Sequence, residues 1–205
     1  LHIATVGNEV KSFTFDRALP HEDLGGQDAE LVVYENWSVS RALVTSSDER
    51  RLVTATAVGW IGHGDMTTAS PGKPAVIEHA RAALDQPGEW FLDRRTGTLS
   101  YFARPGETPD RTVAVAPVLT QLVKITGTKD KPVRNLRFEG LRFEHTDFAL
   151  PAIGYSEIQA GHFGPSTKLP THVQPVAIEC AFAEGVRFER CRFAHLNNSG
   201  IGFGP

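Results

Sequence analysis

Asp147 stands two residues beyond His145, and the same histidine recurs as His195, 50 positions later (195 minus 145), so an acid and two imidazoles mark equivalent places in the chain. Histidine titrates near neutral pH and a carboxylate can activate water, so this set is suited to proton transfer. Hydrolysis of a glycosidic bond uses two carboxyl groups, about 5 to 5.5 Å apart when configuration is retained and about 6.5 to 9.5 Å apart when it is inverted. Asp147 is the candidate catalytic acid, with Glu157 and Glu179 as candidate partners. Asp147 can equally cap a strand end by accepting backbone N–H bonds, as Asp does at turns. Glu179, which points outward between Ile178 and Cys180, can equally be a solvated surface acid.

The stretch 147–174 is rich in Pro and Gly yet carries Phe148, Tyr155 and Phe163. It reads as a long inserted loop, and its aromatics argue against disorder. Tyr155, Gln159 and His162 offer a flat apolar platform with hydrogen-bonding groups, the chemistry of a sugar site. The same aromatics can instead cover the flank of the fold. His162 and His172 have no third ligand at useful spacing, so neither a metal nor a cofactor is expected. His63-Gly-Asp65 reads as a turn. Trp37, Trp60 and Trp90 read as packing residues, any one of which would be a sugar-stacking platform if exposed.

The elements that position these groups come from an internal repeat. Asn135-Leu-Arg-Phe-Glu-Gly-Leu-Arg-Phe-Glu-His145 reappears as Gly185-Val-Arg-Phe-Glu-Arg-Cys-Arg-Phe-Ala-His195. Apolar Leu136, Phe138, Leu141 and Phe143 alternate with charged residues and are answered by Val186, Phe188, Cys191 and Phe193. Period-2 alternation puts the apolar set on one face, and the corners at Glu139-Gly140 and Glu189-Arg190 restart the pattern without reversing the chain. This predicts turns of a parallel β-helix, about three rungs long. A third strand per turn is read from Val176, Ile178 and Cys180, set against Ile201 and Phe203 with Val176 opposite Ile201, and from Gln121–Thr126 before the first copy.

On neighbouring rungs His145 and His195 would stack about 4.8 Å apart. Each follows its strand's last inward Phe by two positions and so continues the inward register. The pair can bind a substrate hydroxyl or simply fill a corner. Arg137 with Arg187 and Arg142 with Arg192 form outward stacks of like charge, relieved by Glu139, Glu144 and Glu189. Such a row reads as a solvated face, or as a bed for an acidic polysaccharide. Cys180 and Cys191 fall at inward positions and read as buried free thiols, with a disulfide as the alternative.

Residues 1–112 lack the repeat. Leu31–Tyr34, Ala42–Thr45 and Leu52–Ala57 are short β-branched runs between charged turns. Glu78–Leu84 reads as a short helix. Glu89–Asp93 and Thr98–Phe102 flank Arg94-Arg-Thr-Gly97 as a hairpin. The expected domains are therefore a β-rich subdomain at 1–112 and rungs at 113–205, with the insert at 147–174. An all-β fold follows: a right-handed parallel β-helix, incomplete at its C-terminus, carrying an N-terminal antiparallel β-rich subdomain.

With 40% hydrophobic and 22% charged residues, the chain has the composition of a globular protein. A net charge of -3 without a basic stripe gives no support to a nucleic-acid or anionic-membrane partner. No apolar run of about 18 residues marks a membrane span, and no signal peptide is present. A start at Leu1 and a stop at Pro205, in the middle of a rung, are expected of an N-terminal part of a longer protein. Ile201 and Phe203 on that open rung would invite another strand, and hence self-association.

The run Ala83-Leu-Asp-Gln-Pro-Gly-Glu-Trp-Phe-Leu-Asp-Arg-Arg-Thr-Gly-Thr-Leu-Ser-Tyr-Phe102, followed by Ala116–Leu122, Phe138–Asp147 and Cys191–His195, resembles bacterial right-handed parallel β-helix proteins related to β-helix glycoside hydrolases of fucosidase and xylanase type. The likeness spans most of residues 31–204. It implies a carbohydrate-active protein, extracellular or periplasmic, whose partner is a plant-type polysaccharide or oligosaccharide. The resemblance also implies catalytic carboxylates in later rungs. The alternative is a non-catalytic module for glycan binding or assembly.

Overall fold

In the computed structural model the described residues are 1–20, 24–60, 68–158, 161–163 and 175–204. They are all β apart from three single-turn 3-10 helices. The strands before residue 112 are β1 (Ile3–Val6), β2 (Ser12–Phe15), β3 (Glu30–Tyr34), β4 (Ser38–Ser47), β5 (Arg51–Thr54), β6 (Ala75–Glu78), β7 (Trp90–Asp93) and β8 (Thr98–Tyr101). Next come β9 (Val123–Thr126), β10 (Val133–Arg134), β11 (Arg137–Glu139) and β12 (Arg142–Glu144). β13 (Tyr155–Ile158) and β14 (Gly161–Phe163) precede β15 (Ile178–Ala181), β16 (Ala183–Glu184), β17 (Arg187–Glu189), β18 (Arg192–Ala194) and β19 (Ile201–Gly204).

Two compact units result. The first joins Leu1–Thr112 with Leu150–Val173, and the second joins Val113–Ala149 with Gln174–Pro205. In the first, eight strands form one antiparallel sheet ordered β1-β2-β5-β4-β13-β14, with β3 also paired to β4 and β6 paired to β3. β4 is long enough to serve two neighbourhoods: residues 38–43 lie against β3 and β13, and residues 44–47 against β5, with an irregularity between Val44 and Ser46 that curls the sheet. Alternation decides the faces. Leu31, Val33, Ala42, Val44 and Ala75 point inward with Phe13, Phe15 and Leu52 into one apolar cluster. A side chain of that size contributes roughly 1.5–3 kcal/mol on full burial.

The stretch after Asp147 is not wholly a loop. Its strand β13 enters the antiparallel sheet beside β4, with Ser156 opposite Ser40 and their hydroxyls 3.0 Å apart. The partner lies 116 residues away, so no local pattern announces the pairing. Glu78–Leu84 is not a helix either. Glu78 ends β6, paired with Glu30 of β3, His79 takes a φ of 57°, and only Arg81–Ala83 forms a 3-10 turn. So few residues cannot offset helix nucleation, and the sheet pairing wins.

The second unit is built of small parallel sheets: β9-β15-β19, β10-β16, β11-β17 and β12-β18. The repeat copies pair in register, Phe138 with Phe188 and Phe143 with Phe193. Rings therefore stack at the inter-strand spacing of about 4.8 Å, with centroids 5.0 and 5.1 Å apart, while Phe138 meets Phe143 edge-on at 6.1 Å. The corners recur every fifth residue, and all use the left-handed region: Asn135, Gly140 and His145 have φ of 60°, 67° and 62°, and Gly185, Arg190 and His195 have 66°, 53° and 53°. Gly185 suits its corner by its φ, and a Cβ there would meet Asn135 Oδ1 at 2.9 Å, so that side chain would have to turn aside.

Two expectations are corrected in detail. Ile201 lies opposite Ile178 and Phe203 opposite Cys180, two residues away from the pairing read from the pattern. A two-residue slip keeps every side chain on its face, so alternation alone does not distinguish the registers. Leu141, expected inward, is 46% exposed, because it sits in a corner and not in the strand. Cys180 and Cys191 are free thiols; Cys180 is buried and Cys191 half-buried, its Sγ donating to the Phe138 carbonyl at 3.4 Å. Burial, with Glu179 alongside, pushes the Cys180 thiol up.

Candidate functional site

The two histidines come together. His145 and His195 end β12 and β18, and their rings stack at 4.9 Å and 2° from parallel. Their left-handed φ values make them corner residues, so they do not continue the inward register of the phenylalanines as read from the sequence. His145 is half-buried and His195 exposed. Glu144 beside them accepts from Arg142 Nε at 3.0 Å and Nη2 at 2.8 Å, and it receives Arg192 Nε at 3.3 Å. The Arg142 bonds hold its carboxyl below the usual range, so it is an ion-pair partner and not a proton donor.

The Arg137 and Arg187 row is compensated at Arg137, while Arg187 has no ion pair among the described residues. Arg137 Nη2 reaches Glu139 at 2.8 Å and Glu189 at 2.6 Å, and Arg190 pairs with Glu139. Exposed pairs of this kind are worth about 0–1 kcal/mol each.

Asp147 is exposed, and its backbone N–H donates to the Leu119 carbonyl at 2.9 Å. Its carboxylate makes no hydrogen bond or ion pair among the described residues, so it does not cap a strand end there. Its two candidate partners are placed otherwise. Glu179 accepts from Gln121 Nε2 at 3.2 Å and lies 3.4 Å from Lys124 Nζ. Glu157 is on β13, in the antiparallel unit. Tyr155 is in that unit too, buried opposite Arg41, with its hydroxyl pushed up to about 12 by burial and by Glu157. Gln159, like His63, Asp65 and His172, lies outside the described residues, and so does the side chain of His162. Among the described residues no group of three or more His, Cys, Asp or Glu could hold a metal ion.

Sequence reasoning missed a second constellation, on the face of the antiparallel sheet opposite the apolar cluster. Glu30 of β3 lies opposite Glu78 of β6. Arg41 of β4 reaches across both, its Nη1 2.5 Å from Glu78 Oε2 and 3.4 Å from Glu30 Oε2. His79 Nδ1 lies 3.6 Å from Glu30 Oε1, and its ring is 6.2 Å from that of Trp90. Trp90 is 58% exposed and Trp37 55%, so neither is the packing residue it was read as. In the β3–β4 turn, Glu35 is buried, with Oε2 accepting from Ser38 Oγ at 2.9 Å and Oε1 without a partner among the described residues. Burial raises its carboxyl to about 7. Only the alternation of β3 and β4 carried a trace of this, since Glu30 and Arg41 share a face with Val32.

Comparison with known proteins gives the fold a neighbour. No family model matches the chain, and no curated protein matches it. A solved structure named "Glycoside hydrolase" is similar over 98% of this chain, with a TM-score of 0.69 and 21% sequence identity. The chain spans 40% of that structure's length. The fold is thus one shared with a protein of that name.

Proposed function

We propose that this chain is part of a secreted, carbohydrate-active protein of glycoside hydrolase type that acts on plant-type polysaccharide. In this reading the small parallel sheets are faces of successive turns of a right-handed parallel β-helix, and the antiparallel unit is its β-rich subdomain. The observation that carries it is the likeness along 98% of the chain to a structure bearing the name glycoside hydrolase. The in-register pairing of the two repeat copies, with left-handed corners at every fifth residue, supports the coil.

Asp147, exposed and two residues beyond His145, is the acid of this reading, and the stacked histidines supply hydrogen bonds to sugar hydroxyls. Gln159 and His162, which belong to the antiparallel unit, are proposed separately as sugar-binding residues, while Tyr155 is buried there and is not offered to a sugar. A non-catalytic glycan-binding module is the second reading. It is favoured by the placement of Glu157 and Glu179, neither of which stands as a free acid beside Asp147 in its own unit.

Product release from a panel of plant and algal polysaccharides, by this chain and by Asp147→Asn, separates the two. Release that the substitution lowers by about 100-fold or more supports hydrolysis through Asp147. Equal release by both chains removes Asp147 from the chemistry. Folded protein that retains polysaccharide and releases nothing selects the binding module.

A further inference from the structure

We infer that the antiparallel unit carries a binding site for a neutral saccharide where Glu78, His79 and the indole of Trp90 are exposed, backed by Glu30 and Arg41. The inference rests on the carbohydrate reading above and gives it a location that neither Asp147 nor the histidine stack supplies.

Sugar recognition needs two things at once: an aromatic face for the C–H side of a pyranose, and fixed planar donors and acceptors for its hydroxyls. Trp90 provides the first. It stands on β7 of a hairpin whose turn is held by Asp93 Oδ1, which accepts from the Arg95 backbone N–H at 2.9 Å, and by the Gly97 N–H, which donates to the Asp93 carbonyl at 2.8 Å. The indole is therefore presented by a rigid element, and its exposure leaves a large apolar surface in water.

The second requirement is met beside it. The His79 ring lies 6.2 Å from the indole at an interplanar angle of 45°, brought back toward the sheet by its left-handed backbone. Behind it Glu30, only 7% exposed, is held by Arg41 and His79, while Glu78 and His79 are about a third exposed or more and can turn a lone pair or an N–H to a ligand. Interlocked donors and acceptors of this kind hold their geometry before a ligand arrives, which lowers the ordering cost of binding.

The charge pattern selects among sugars. Arg41 is shared between two carboxylates, so its guanidinium is not left over for a uronate or a sulfate, and two carboxylates against one arginine disfavour such anions. The same sharing separates this cluster from a hydrolytic pair: Arg41 Nη1 fills the gap between Glu30 and Glu78, where a glycosidic oxygen or a water would have to stand. The cluster is built to hold a neutral sugar, not to cleave one.

The test is calorimetric titration of the 205-residue chain with xylohexaose, cellohexaose, mannohexaose and hexagalacturonate, beside Trp90→Ala and His79→Asn, with circular dichroism melts of all three proteins. Asn keeps the left-handed backbone at position 79 while removing the ring. The expected result is binding of at least one neutral hexasaccharide, weaker binding of hexagalacturonate, about tenfold loss in Trp90→Ala and a smaller loss in His79→Asn, with melts unchanged. Undiminished binding by folded Trp90→Ala overturns this site and leaves the carbohydrate reading standing. No binding of any hexasaccharide by the folded parent overturns the site, and absence of polysaccharide retention and release as well overturns the carbohydrate reading with it.

Discussion

In the antiparallel unit the neighbours across the sheet are mostly unlike residues: Arg41 lies between Val32 and Tyr155, and Glu30 lies between Leu43 and Glu78, a like-charged pair that Arg41 bridges. In the parallel unit the two repeat copies set a residue beside its own kind, Arg137 beside Arg187, Phe138 beside Phe188, Phe143 beside Phe193, whereas outside the copies Arg134 faces Glu184 and Lys124 faces Glu179. Like on like suits flat apolar rings, which stack at the strand spacing, but it brings equal charges together, and Arg137, Arg142 and Arg192 each lie against a glutamate of their own or the adjoining strand. Unlike neighbours allow an ion-paired cluster and buried polar groups. Buried polar side chains divide accordingly: Glu30, Glu35, Ser38, Ser40, Thr54 and Ser156 belong to the antiparallel unit, and Thr146 to the parallel one. The lesson is that a repeat concentrates stability in ladders, while the irregular sheet is free to concentrate chemistry.

Cutting one ladder is the largest break available. Phe143 is buried and touches Phe138, Phe188 and Phe193, so Phe143→Ala leaves a cavity among three rings and should cost roughly 3–5 kcal/mol. Hydrogen exchange should show the loss of protection greatest in β11, β12, β17 and β18. Loss spread evenly over β3, β4 and β6 as well would show that the ladder is not where the stability lies.

The next largest effect belongs to the antiparallel unit. Glu35 has its carboxyl raised from 4.5 to about 7 by burial, so the folded chain holds that proton more tightly than the unfolded one. Stability from this group is therefore full below about pH 4.5, falls as pH rises to about 7 and is flat above, by a total on the order of 3 kcal/mol. Glu35→Gln keeps the shape and removes the titration. Urea midpoints at pH 4.5 and pH 8 should differ much less in the variant than in the parent, and the variant should be the more stable at pH 8. An unchanged pH dependence would mean that Glu35 is already ionised in the fold.

How far this was legible follows from the same contrast. The strands of the parallel unit were visible because Leu-Arg-Phe-Glu recurs with its period intact, and a repeat states its own pairing. The two-residue slip of Ile201 escaped because alternation is blind to even shifts. Strand alternation extended past Glu144 puts His145 inward, but the left-handed φ of His145 shows that the backbone has already turned there. In the antiparallel unit, β13 joins β4 across 116 residues, and Glu30, Arg41 and Glu78 come from three strands whose order no local pattern encodes. The cluster with Trp90 was therefore invisible, although each of its members was in plain view.

The smallest effect is a comparison inside the parallel unit itself. Gly140 and Arg190 occupy equivalent corners with φ of 67° and 53°, one without a Cβ and one with it. A left-handed residue bearing a Cβ is strained by roughly 1 kcal/mol. A Cβ at Gly140 would meet nothing within 4 Å, so Gly140→Ala should lose about that amount through backbone conformation alone. Arg190→Gly should recover the strain, less the exposed Arg190 and Glu139 pair, which is worth at most about 1 kcal/mol. Thermal melts should then order the proteins as Gly140→Ala below the parent, with Arg190→Gly at or above it. Strong destabilisation by Arg190→Gly would mean that the arginine holds its corner through the Glu139 contact, and that the two copies keep the same path for different reasons.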